Sequence, residues 1–139
     1  MDDKKIIFQD FARKAKERIE EKKKKRTKKL YVGDIDMTLT IRGISNEEYL
    51  EIVEMDMTSL EQDRYLIYYA CEELQKASAI MVEEGSLSEG ERYKITEMFE
   101  PIDRSRICTE ILQLSGLTGD SSVKEAGEGR VSEVDEVKN

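Results

Sequence analysis

Asp34-Ile35-Asp36-Met37-Thr38 places two carboxylates two residues apart, directly after the apolar run Leu30-Tyr31-Val32. Such a pair offers hard oxygen ligands of the kind Mg²⁺ takes. The same letters also fit a plain structural element. Gly33-Asp34, between β-prone runs at 30–32 and 35–41, reads as a hairpin turn with glycine at the positive-φ position. The rest of the chain is poor in chemistry. Histidine is absent, which removes a common general base and metal ligand. Cys71 and Cys108 have no metal or redox spacing and are expected to be free, buried thiols. Glu72-Glu73 and Glu83-Glu84 read as solvated helix faces, and no glycine-rich phosphate loop occurs. No catalytic residue, metal site or cofactor is expected.

The aspartate spacing resembles the nucleophile loop of haloacid-dehalogenase-type phosphatases, D-x-D-x-T after an apolar strand. The resemblance implies that Asp34 attacks phosphorus, Asp36 serves as acid and base, and both help to hold Mg²⁺. It covers about ten residues, and a short motif needs its structural context. Met37 stands where that family normally has glycine. The family also requires a doubly wound sheet, hence several apolar strands alternating with helices. No second buried strand is evident, so the phosphatase is a minor alternative and the chain is expected not to be an enzyme.

A chain of 139 residues, 38% hydrophobic and 39% charged, has the length of one domain and the means for a modest core. No apolar run approaches the ~18–20 residues a membrane span needs, and the first residues lack the apolar region of a secretory signal. A soluble, cytoplasmic protein is expected. The net charge of −8 hides an asymmetry. Residues 1–30 hold 13 of the 23 basic residues and 6 of the 31 acidic ones. This pattern predicts a basic arm on an acidic body.

The spacing predicts an amphipathic helix over 6–21, with Phe8, Phe11, Ala12, Ala15 and Ile19 on one face. A solvated lysine-rich linker should follow from residue 22 to the first strand. In the second strand Ile35, Met37, Leu39 and Ile41 alternate with polar residues, as in a half-buried strand. Ser45 with Glu48, and Thr58 with Glu61, are capping boxes. The second should open a long central helix carrying Leu60, Arg64, Ile67, Cys71 and Leu74 along one side. Gly85 is a stop, and Ser88 with Glu91 caps a further helix that buries Tyr93, Ile95, Met98 and Phe99. Pro101 suits the first turn of a last helix, and Gly116 its left-handed end. The expected fold is α+β, mostly α: four or five helices in a bundle with one short N-terminal β-hairpin. The expected organisation is an amphipathic helix and basic linker over 1–29, the core over 30–117, and an acidic disordered tail over 118–139.

Two binding readings follow from these surfaces. The basic N-terminal helix could dock on DNA as a small regulator, but no aromatic residue interleaves its lysines for base stacking, so nucleic acid is not the expected partner. The methionines and tyrosines could line an adaptable groove for a protein.

The order of elements resembles the XkdN-like tail assembly chaperones of phages and prophages. The matching segments are 29–50, with T-L-T-I-R-G-I-S, and 91–117, closing on I-L-Q-L-S-G-L. At Cys71-Glu72-Glu73 some members of that family carry a proline instead. The resemblance implies a non-enzymatic protein that binds the tape-measure protein, keeps it soluble, and helps tail-tube protein polymerise around it in the bacterial host. The expected partner-binding residues are Ile35, Met37, Leu39 and Ile41 on the ribbon and Tyr65, Tyr68 and Tyr69 on the central helix.

Overall fold

The computed structural model of the chain describes residues 2–24 and 26–126. Its fold is α+β, mostly α. Helix α1 (Asp2–Lys23) leads into a hairpin of β1 (Thr27–Val32) and β2 (Met37–Arg42). Helices α2 (Asn46–Val53), α3 (Ser59–Tyr69) and α4 (Glu72–Glu83) follow, then a 3₁₀ segment (Glu89–Met98) and α5 (Pro101–Leu114).

The hairpin departs from the expected two-residue turn. The strands pair Val32 with Met37, Leu30 with Leu39 and Lys28 with Ile41. Gly33–Ile35 is a single 3₁₀ turn closed by Asp36 in the left-handed region at φ 50°. Ile35 is therefore a turn residue, not a strand residue. Asp36 takes the strained conformation expected of Gly33, and the Tyr31 hydroxyl donates to its carboxylate at 2.7 Å. Strand β1 also begins at Thr27, so Thr27, Lys28 and Lys29 belong to the sheet rather than the linker.

Helix starts follow their sequence signals. Ser45 accepts from the Glu48 amide while Glu48 reaches back to Ser45, and Thr58 and Glu61 repeat the arrangement. Pro101 opens α5, where its missing N–H costs no helical bond. Helices α4 and α5 end alike, on Gly85 and Gly116 at positive φ. At each, the amides of the glycine and the next residue turn back onto the last turn of the helix (Leu117 to Leu112 at 3.0 Å).

The expected long central helix is broken. Helix α3 stops at Tyr69, and Cys71 is extended (φ −136°, ψ 109°) before α4 starts. The cause is tertiary. Cys71 forms a β-bridge to Ile41, and the Arg42 amide donates to the Ala70 carbonyl at 3.0 Å. Residues 70–71 thus cover the outer edge of β2, and the Thr40 amide donates to the Glu73 carboxylate at 3.0 Å. Glu89–Met98 is also corrected, from α-helix to 3₁₀ turns with no side-chain cap at Ser88. Ile95 and Phe99 are buried there, whereas Met98 is exposed.

The core lies between the inner face of the hairpin and α2 to α5. Leu39, Ile41, Ile67, Cys71, Leu74 and Ile111 are almost wholly withdrawn from water. Arg92 ties the 3₁₀ segment to α4 by donating to the Gln75 carbonyl (3.0 Å) and the Ser78 hydroxyl (3.3 Å). The end of α5 closes on the hairpin. Ser115 Oγ accepts from the Ile44 amide at 2.8 Å, and a Cβ on Gly43 would stand 3.3 Å from the Leu114 carbonyl oxygen. Both cysteines are free and buried, as expected. Of the expected tail, 118–126 is exposed and largely without regular structure, and 127–139 lies outside the described residues.

Candidate protein-binding surface

Alternation along β2 arises because successive side chains point to opposite faces of a strand. The face carrying Leu39 and Ile41 is the one turned to α4 and α5, and both residues are 0% exposed. These two are core and cannot meet a partner while the protein is folded. Met37, on the same face but at the hairpin tip, is 42% exposed, and Ile35 is half-buried beside it in the turn. The ribbon's accessible apolar surface is therefore its tip alone.

The three tyrosines of α3 come together, because residues three and four apart share a helix face. The Tyr65 ring lies 5.9 Å from Tyr68 and 6.0 Å from Tyr69, and Tyr93 of the 3₁₀ segment joins them at 6.2 Å. All four are half-buried. Tyr69 is fixed further: its hydroxyl donates to Glu48 at 2.5 Å, and the Arg42 guanidinium stands 4.7 Å above its ring. The bond to Glu48 holds the Tyr69 hydroxyl above its usual pKa, while burial does the same for Tyr65. Tyr69 is a clasp between β2, α2 and α3. Tyr65 and Tyr68 remain half-buried within the packed cluster. No ring contact or hydrogen bond among the described residues joins the ribbon tip to the tyrosines.

A further uncovered apolar stripe lies on α1. Phe8 and Phe11 are each 64% exposed and Ile19 is 56% exposed, so no other part of the described chain covers this stripe. Its flanks carry ion pairs one turn apart, such as Lys14 with Asp10 (3.2 Å) and Arg18 with Glu21 (3.0 Å). The periodicity of these residues was legible in the sequence. What periodicity omits is whether a helix face packs inside its own chain or outside it.

The Asp34/Asp36 pair lacks the scaffold that phosphatase chemistry requires. Both residues sit exposed in a turn of a two-stranded antiparallel sheet, and Asp36 is engaged by Tyr31. A cavity of about 530 Å³ opens between the hairpin and α4, lined by Thr40, Arg42, Glu72, Glu73 and Lys76. Its charged groups are each engaged: Glu72 with Lys76 at 2.9 Å, Glu73 by the Thr40 amide, and Arg42 with Glu48 outside the cavity at 3.8 Å. Among the described residues, no three acidic or cysteine side chains are placed to hold a metal ion, and no helix is long and apolar enough to cross a membrane. Compared with known proteins, the chain matches no family model, no curated protein and no solved structure.

Proposed function

We propose that this chain is a tail assembly chaperone of the XkdN-like kind, a non-enzymatic protein that works in the cytoplasm of a bacterial host. In this reading it binds tape-measure protein and assists the polymerisation of tail-tube protein around it. The observation that carries the reading is the uncovered apolar stripe of α1, set on a small acidic body. A long helical client exposes amphipathic surface, and a helix with Phe8, Phe11 and Ile19 on one face offers it a matching partner. The acidic body keeps copies and their clients apart by like-charge repulsion. The reading shifts the binding surface expected from sequence: Leu39 and Ile41 leave it, α1 enters it, and the exposed Met37 and half-buried Tyr65 and Tyr68 stay as candidates.

The test is co-expression with the tape-measure protein of the same gene cluster, followed by affinity purification from the soluble fraction. Recovery of soluble tape-measure protein with this chain supports the reading. If the two never co-purify, and duplex DNA binds with strong salt dependence, the basic helix belongs to the regulator instead.

A further inference from the structure

Strand β1 is an open sheet edge. The pairing of β1 with β2, together with the bond from the Gly43 amide to the Arg26 carbonyl (2.8 Å), places residues 26, 28, 30 and 32 in the ladder. The amides and carbonyls of Thr27, Lys29 and Tyr31 therefore point the other way. Among the described residues none of these groups has a partner, and all three residues are exposed. The opposite edge of the sheet is treated differently. There, Ala70 and Glu73 take the Arg42 and Thr40 amides, at 3.0 Å each. One edge is covered by the chain itself and the other is left available, and an unpaired edge is a template for an added strand.

We infer that the outer edge of β1 accepts an extended acidic segment of a partner protein as a third strand. The occupant follows from charge. Lys29 lies on the solvent face of the strand, and Lys28 beside it is already held by Glu110. Arg26 stands just before the strand, Lys22 and Lys23 at the end of α1, and Lys24 after it. A second copy of β1 would set these lysines against one another, which is how natural sheet edges resist self-pairing. An acidic strand meets no such repulsion. The faces specify its pattern. Leu30, half-buried on the core side, suits an apolar neighbour, and Lys29, on the solvent side, suits a carboxylate. The segment recognised is thus extended, with apolar and acidic residues in alternation. This inference is independent of the chaperone reading, since any partner with such a segment would fit.

The test uses the full chain, isotope-labelled, and a synthetic peptide of about eight alternating valine and glutamate residues, a length that spans such a strand. Amide exchange is followed by NMR with and without peptide. In the free protein the Lys28, Leu30 and Val32 amides exchange slowly and those of Thr27, Lys29 and Tyr31 rapidly. Saturating peptide should slow Lys29 and Tyr31 by at least about tenfold, as new ladder bonds form. Lys29→Pro removes an outward donor from an edge position that tolerates proline and should weaken binding at least about tenfold. Lys29→Glu, which keeps the amide, should weaken it similarly at low salt. Peptide binding that leaves the Lys29 and Tyr31 amides unprotected, or that survives both substitutions, overturns the inference and places the contact on the basic helix. Protection of these amides before peptide is added also overturns it, because the edge is then already occupied.

Discussion

Lys28 Nζ lies 2.6 Å from Glu110 Oε1, joining the edge strand of the hairpin to α5 across 82 residues of sequence. Glu110 is buried but for 7% of its surface, and Arg106 donates to its other oxygen at 2.8 Å. Lys28 first, and then Arg106, hold this carboxyl below its usual 4.5. A carboxyl with a lowered folded pKa stabilises the fold above its unfolded pKa and loses that contribution as pH falls through the folded value. Glu110→Gln should therefore cost about 1 kcal/mol near neutrality, discounted because Lys28 is itself half in water. The difference from the unsubstituted protein should vanish once both forms are neutral, well below pH 4.5. Urea unfolding at the two pH values measures it, and an equal difference at both would refute the electrostatic account.

The two thiols run the opposite way. Burial pushes Cys71 and Cys108 up from the usual 9.0 to about 12. Their contribution is complete below the unfolded pKa and is lost as pH rises from about 9 towards about 12. A thiol reagent at neutral pH should label neither cysteine in the native protein and both in denaturant. Stability should fall faster above pH 9 than in a variant with both cysteines replaced by alanine.

The seat of α5 on the hairpin is tight at Gly43. Gly43→Ala brings a methyl group to 3.3 Å from the Leu114 carbonyl oxygen, against backbone that has little room to retreat. The expected cost is about 1–3 kcal/mol, the range for overpacking a well-filled site. Thr58→Ala, which removes one half of a capping box on the surface, should cost about 1 kcal/mol. Thermal unfolding ranks the two, and a larger loss at Thr58 would show that the α5 seat yields easily.

On α1, stability and binding should separate. Phe8→Ser with Phe11→Ser removes apolar surface that the fold does not bury, so the unfolding midpoint should move little. Client recovery in the co-expression assay should fall at least about tenfold if the stripe contributes two apolar anchors. Tyr65→Ala should behave differently, lowering stability because that ring touches three others. Unchanged recovery from the double α1 variant would move the client site to the ribbon tip or the tyrosines.

Much of this architecture was legible one turn at a time. Ser45 with Glu48, Thr58 with Glu61, Pro101 and Gly116 act within a few residues of themselves, so their letters carried their structure. What the letters did not carry was set at a distance. A helical pattern runs from Leu60 to Leu74, yet Ile41 draws Cys71 into a β-bridge and splits the helix. Across Glu89–Met98 the apolar letters put Ile95 and Phe99 in the core but not the winding, because a 3₁₀ coil drifts from an α-helix by about 20° per residue, and Met98 is left exposed. The alternation of Met37, Leu39 and Ile41 showed that one face of β2 is apolar. It did not show that the chain's own helices cover that face. For the same reason the stripe of α1 could be read while its exposure could not.

The break at Cys71 and the closure of α5 on Gly43 also govern the order in which the protein can be completed during synthesis. The hairpin emerges before its cover: Cys71, which caps its second strand, and Ile111 and Ser115, which complete its burial and its anchor, follow about 30 to 70 residues later. Until then Leu39 and Ile41 have no lid, and a lone two-stranded hairpin is marginal in water. Helix α1 packs little on any other described element, so its apolar stripe has no later segment to wait for as cover. Under the proposed function, the α1 stripe is then the part of the client-binding surface whose exposure does not depend on completion of the body.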